Sequence, residues 1–279
     1  MVVASVSPSG TVELVPDREF YPNAPAVLVA VEARHPESPD LDASQQSELK
    51  RLLADVLPLP QPVTSQSITH LPPADPVVSE RTAPRFATRD QATAVTFNSQ
   101  AVVVETTSHK GFEELCELLR VAVRARQQVA PVEGLMRLGL RYIDEVRVPD
   151  LAGGPQDWDE WVDSSLLGPI PLAASLGLVP EQWQGLTVFD RGEGRKLILR
   201  FGPREGFAVA PGGPLQRAVP SPGPFFLLDI DSFWTPTGEV PEFAEDAIMR
   251  ACEELHEPVW GLFEALITDR LRKEVLRND

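Results

Sequence analysis

The sequence predicts an α+β fold: two similar β-α-β-β-β-α halves, mainly antiparallel sheet, with helices packed on one face. Three observations carry this expectation. Strand-length runs with apolar residues at every second position recur along the chain. Several of them are neighbours across short polar or glycine-bearing turns, as in hairpins. Between them lie longer segments with apolar residues at helical spacing. Hairpins mixed with helices argue against a doubly wound parallel sheet. The implied organisation is an N-terminal arm over 1–20, a first half over 21–131 and a second half over 132–279, two lobes or one continuous domain.

In the arm, turn formers surround one β-like run, Thr11–Val15, and Tyr21–Pro25 punctuates its end. Ala26–Pro36 is rich in valine, with Val27, Val29 and Val31 on one face and Leu28 and Ala30 on the other, as in a buried strand. A helix is expected over Ala43–Leu57, capped by Asp42 or Ser44. Its apolar face is Leu49, Leu52, Leu53 and Val56, and Pro58 and Pro60 stop it. The proline-rich stretch 58–76 reads as an extended loop or an irregular edge strand. Val77–Arg85, Ala92–Asn98 and Ala101–Thr107 read as strands, the last two joined tightly at Asn98–Ser99–Gln100. Phe112–Val129 is an amphipathic helix with Phe112, Leu115, Leu118, Leu119 and Ala122 on one face. Glu113 and Glu114 suit its N-terminal end, and Arg124 and Arg126 its C-terminal end.

The second half repeats the plan. Arg137–Val148 alternates as a strand, with Leu138, Leu140 and Tyr142 on one face and Arg141 and Ile143 on the other. Short helices are expected from Asp157 to about Ser164 and over Leu172–Leu176. Leu186–Phe201 is the clearest hairpin, its turn given positive φ by Gly192 and Gly194. Phe225–Trp234 is a further strand, and Phe243–Arg277 is helical with an interruption or kink at Pro258.

Composition narrows the function classes. The chain has 279 residues, 43% hydrophobic and 24% charged, and so is long enough to bury a core without staples. Its two cysteines, Cys116 and Cys252, both fall in helical segments and read as reduced packing residues. Twenty-five basic against 41 acidic residues give a net charge of −16, and no basic footprint for nucleic acid or an anionic membrane is present. No targeting segment and no run long enough to span a bilayer is visible, so a cytoplasmic location is expected.

Motifs for known chemistry are missing from the sequence. There is no GxSxG, no GxxxxGK[ST] and no GxGxxG. The four histidines are isolated, and His256–Glu257 does not continue into HExxH because Trp260 stands at the second histidine position. No metal and no cofactor is therefore expected. Asp229 and Asp231 lie two apart on a strand and share a face, as carboxylates that hold Mg²⁺ do. The plainer reading is a wet face with Leu228 and Ile230 turned to the core. The strand Arg137–Val148 carries Arg137, Arg141, Asp144, Glu145 and Arg147, a sign pattern that suits ion pairs across a sheet face or a binding surface built on it. Trp158 and Trp161 share one helical face amid acidic residues; they form either a recognition patch or a dock onto the chain's own sheet.

Five segments in order are YPNAPAVLVAVEARHP, the hairpin and helix from Phe97 to Leu119, RLGLRYIDEVRVP, FFLLDIDSFW and LHEPVWGLFEALITDRLR. The set resembles a sporadically distributed family of uncharacterised bacterial proteins, with an N-terminal "NAP" strand, a central "LGLRYI" strand and a C-terminal "LFEALITDRLR"-like helix. Asp144 stands where members often carry Asn. The resemblance implies a stand-alone accessory protein and transfers no catalytic residue.

Three functions follow as expectations. The first is a non-enzymatic protein-interaction module (an adaptor, a neutralising partner or a chaperone-like protein) that binds another protein or itself. The second is an enzyme with an acidic site around Asp229 and Asp231, with Arg141 beside them if the strands pair. The third is an acidic mimic of nucleic acid, suggested by 11 acidic and 5 basic residues over 239–279.

Overall fold

In the computed structural model, residues 21–69, 77–149 and 155–277 are described. The expected arm, with its Thr11–Val15 run, lies outside the described residues, as does the side chain of Asp157. The strands are β1 (Ala26–Arg34), β2 (Leu59–Pro60), β3 (Val63–Thr69), β4 (Val77–Ala83), β5 (Arg85–Ala87), β6 (Thr93–Phe97), β7 (Ala101–Thr106), β8 (Arg137–Val146), β9 (Gly185–Asp190), β10 (Arg195–Gly206) and β11 (Gly223–Trp234). The helices are α1 (Ala43–Leu53), α2 (Phe112–Val129), α3 (Ile170–Ser175) and α4 (Glu245–Leu266).

Alternation in the sequence becomes the two faces of one sheet. Val29, Val31 and Ala33 of β1 pair with Tyr142, Leu140 and Leu138 of β8, and all are buried on the helix side. The described residues place nine strands in one antiparallel sheet in the order β2-β5-β6-β7-β1-β8-β11-β10-β9, with β3 and β4 as a separate hairpin. The fold is α+β. Each half is a strand, a helical connection, a three-strand meander returning beside the first strand, and a long helix. The halves meet where β1 pairs with β8, so sheet and core run without a break past the nominal boundary near Val132.

Several departures from the expected elements have local causes. α1 is capped by Asp42 in a reciprocal box with Gln45. It ends at Leu53 rather than Leu57, so Val56 leaves the apolar face and is 47% exposed. Part of the proline-rich stretch is regular: β3 pairs with β4 from Val63↔Ala83 to Thr69↔Val77. Pro58 and Pro60 confine β2 to two residues. The β9–β10 turn uses Glu193 as well as both glycines at positive φ.

Pro258 lies inside α4 without ending it. Proline lacks the N–H that would bond the Glu254 carbonyl, and the Arg191 guanidinium donates to that oxygen instead, at 3.2 Å. α4 stops at Leu266, and Thr268 caps a following turn through a 3.2 Å bond from the Leu271 N–H.

Arg126 does not serve the C-terminal end of α2 in solvent. It is turned inward, 1% exposed, and donates to Ser38 Oγ at 2.9 Å. Its Nε and Nη1 find no hydrogen-bond partner among the described residues, and burial lowers its pKa. A buried cation with unmet donors is a standing cost. Arg126→Met is therefore expected to stabilise by on the order of 1 kcal/mol, or roughly 2–4 °C in calorimetric melting. A lower melting temperature would contradict this account.

Candidate functional site

The candidate site residues divide between the two faces of the sheet. Arg141, Asp229 and Asp231 sit on the face without helices, since Leu140, Leu228 and Ile230, their neighbours along the same strands, point the other way and fill the core, while Asp231 pairs in register with Arg141. Arg141 grips Asp229 with two bonds, Nε–Oδ1 at 2.7 Å and Nη2–Oδ2 at 2.8 Å, and Arg200 adds a third at 3.3 Å. Asp231 lies 4.0 Å from Arg137, which also bonds Glu32 at 3.0 Å. Burial pushes the Asp231 carboxyl up, against the pull of Arg137, Arg141 and Arg200. The hydrogen bond to Asp229 raises Arg141. Both oxygens of Asp229 are thus engaged by guanidinium groups. No group of three or more potential metal ligands occurs among the described residues.

Asp144 is on the other face. The strand alternation that buries Leu138, Leu140 and Tyr142 also turns position 144 toward the helices, so Asp144 does not join the row of ion pairs that its neighbours Arg141, Glu145 and Arg147 form. It lines a cavity of about 140 Å³ between the sheet, the start of α2 and the middle of α4. Tyr21, Phe112, Trp260, Phe263, Val259 and Ile230 supply most of the wall. His109, Glu113, Tyr142 and His256 add polar groups to it.

The cavity's polar groups are strongly affected by burial. Asp144 is 4% exposed, and loss of water pushes its carboxyl up to about 8, with the Asp229 charge adding to the effect. Burial lowers His109 to about 4 and raises the Tyr142 phenol well above its ordinary value. At neutral pH Asp144 therefore holds its proton and His109 is uncharged. The His109 and Tyr142 rings meet edge to face at 5.3 Å, and His256 stacks flat on Phe112 at 3.8 Å. Neither the Tyr142 hydroxyl nor His109 Nδ1 has a hydrogen-bond partner in the described structure.

Trp158 and Trp161 are 1% and 2% exposed. Trp158 packs on Phe226 at 5.3 Å, and the Arg270 guanidinium covers Trp161 at 4.2 Å. They dock their segment onto the sheet, so no surface aromatic patch forms there. Cys252 is raised well above its ordinary pKa by a hydrogen bond with the free Cys116 and by burial, which keeps this thiol protonated.

A third region was not singled out by the sequence. The edge strand β9 exposes Leu186, Val188 and Phe189, and the segment before it exposes Leu172, Leu176, Leu178 and Val179. The opposite edge of the sheet is only two residues long and carries Pro60. No family model and no curated protein matches this chain. No helix among the described residues is long and apolar enough to cross a membrane.

Proposed function

We propose that this chain is a protein-interaction module, without catalysis of its own, that takes an extended segment of a cationic partner protein onto the edge of β9. The carrying observation is the difference between the two sheet edges. β2 is blunted by shortness and proline, the usual protection against strand addition. β9 has six residues, Gly185–Asp190, with no proline or lysine and with apolar side chains facing water. Such an edge offers main-chain bonds for affinity and alternate side-chain positions for specificity. The net charge of −16 favours a basic partner and disfavours a second copy. A cytoplasmic site of action and membership of the accessory bacterial family belong to the same proposal.

The two other functions find less support. Guanidinium groups occupy Asp229, which weakens an acidic catalytic site. On the C-terminal segment Glu245 is held by Arg120 and Arg124, Glu254 by Arg195 and Glu264 by Arg272, which breaks up a row of phosphate-like charge.

Strand-forming peptides test the reading. Labelled peptides alternating Val with Lys and Val with Glu are titrated by fluorescence anisotropy. The lysine series should bind, weaken with salt, and lose at least tenfold affinity in the double variant Leu186→Lys, Val188→Lys. Equal binding of both series, or of both proteins, would sink the idea. Light scattering on the protein alone should show a monomer; a dimer abolished by the double variant would assign the edge to a second copy instead.

A further inference from the structure

We propose that the cavity beneath α2 and α4 binds a small organic ammonium ion, its charged head paired with Asp144 and its apolar body against Phe112, Trp260 and Phe263. The inference is independent of the β9 edge. Four features of the cavity support it. Its volume of about 140 Å³ is close to the roughly 150 Å³ that accommodates one benzene ring. Its wall is aromatic, and the faces of Tyr, Trp and Phe rings attract cations. Its lining contains two carboxyl groups, Asp144 and Glu113, and no lysine or arginine among the described residues. A buried carboxyl with no cation beside it lacks only a charge partner, which an incoming ammonium supplies.

An anion fits less well, although the first turn of α2 opens toward the cavity. Glu113 folds back on that helix end, its Oε2 within 3.4 Å of where a side chain on Gly111 would begin. The positive end of the helix dipole already has its negative partner.

Binding moves one proton. The free site holds Asp144 protonated at neutral pH; the ammonium enters with its own charge, and the Asp144 proton leaves to buffer. Affinity should therefore rise as pH increases toward about 8 and level off above it. Six other titratable groups face or act on Asp144, Tyr21 among them from the segment before β1. His109 stays neutral, because burial holds it near 4, and Tyr142 stays protonated. Glu113 comes from α2, His256 from α4, and Asp229 acts from the far face of β11.

Benzylammonium is the probe, with benzyl alcohol as its neutral and benzoate as its anionic counterpart. Calorimetric titration at pH 6.5 in two buffers of different ionisation heat should show benzylammonium binding with close to one proton released. Affinity should rise severalfold to tenfold per pH unit between pH 6 and 8. Asp144→Asn should lower affinity at least tenfold and abolish the proton release, with the fold confirmed by circular dichroism. His256→Gln should keep the pH slope, which assigns that slope to Asp144. The proposal fails if benzylammonium does not bind, if alcohol or benzoate binds as tightly, or if Asp144→Asn leaves binding unchanged.

Discussion

Asp144→Asn should stabilise the folded protein at neutral pH and change the shape of its pH dependence. Burial raises the Asp144 carboxyl from 3.8 to about 8. Between those values the folded state holds a proton that the unfolded state has lost, so stability falls as pH rises. The fall runs at up to about 1.4 kcal/mol per pH unit and reaches on the order of 4 kcal/mol at pH 7. His109 acts in the opposite sense. Its pKa falls from 6.5 to about 4, so the unfolded state binds the extra proton and stability rises between those values. The two effects offset one another up to about pH 6.5, and above it the Asp144 loss stands alone until about pH 8. Urea unfolding of the wild type should show that decline, and the variant should be level across the same interval. Parallel curves for the two proteins would show that Asp144 is not held neutral in the fold.

Much of this arrangement was legible residue by residue. Period-two alternation placed Leu138, Leu140 and Tyr142 on the core face, and Leu228 and Ile230 opposite Asp229 and Asp231. The same alternation, carried one step further, puts Asp144 in the core; reading its charge together with Arg141 and Glu145 put it on the wrong face. The helical spacing in α2 marked Leu115, Leu118, Leu119 and Ala122 as buried. Charge near a helix end misled at Arg126, because the turn of the helix, and not its dipole, aims that side chain inward. The cavity had no local signal at all. His109 comes from the approach to α2 and His256 from the middle of α4, 147 residues later, and only the packing of α4 on β8 and β11 brings them to Tyr142. The β9 edge was equally hidden, since a strand's place at the rim depends on pairings made elsewhere in the sheet.

Removing the Glu145 carboxylate should be among the most damaging single changes to the face without helices. Its side chain is 1% exposed and accepts from four donors: Arg147 Nε and Nη2 at 3.2 and 2.9 Å, Arg217 Nη2 at 3.2 Å and the Ala208 N–H at 2.8 Å. These bonds tie the loop after β10 across the sheet, where Phe207 lies against both arginines. Glu145→Ala leaves Arg217 buried without its counter-ion, a change that typically costs about 3–5 kcal/mol. Arg147 loses less, because the Gly206 and Gly223 carbonyls still accept from it at 2.6 and 3.2 Å. Glu145→Gln keeps an acceptor for Ala208 and should fall between wild type and Ala in urea unfolding. Adding Arg217→Met to Glu145→Gln removes the orphaned charge and should recover much of the loss, since a buried pair replaced on both sides is often close to neutral. Hydrogen exchange in Glu145→Ala should quicken first over 207–217, while β1 and β8 keep exchanging at the global limit. If the double variant is no better than Glu145→Gln alone, the loss lies in packing around position 145 and not in the charge left on Arg217.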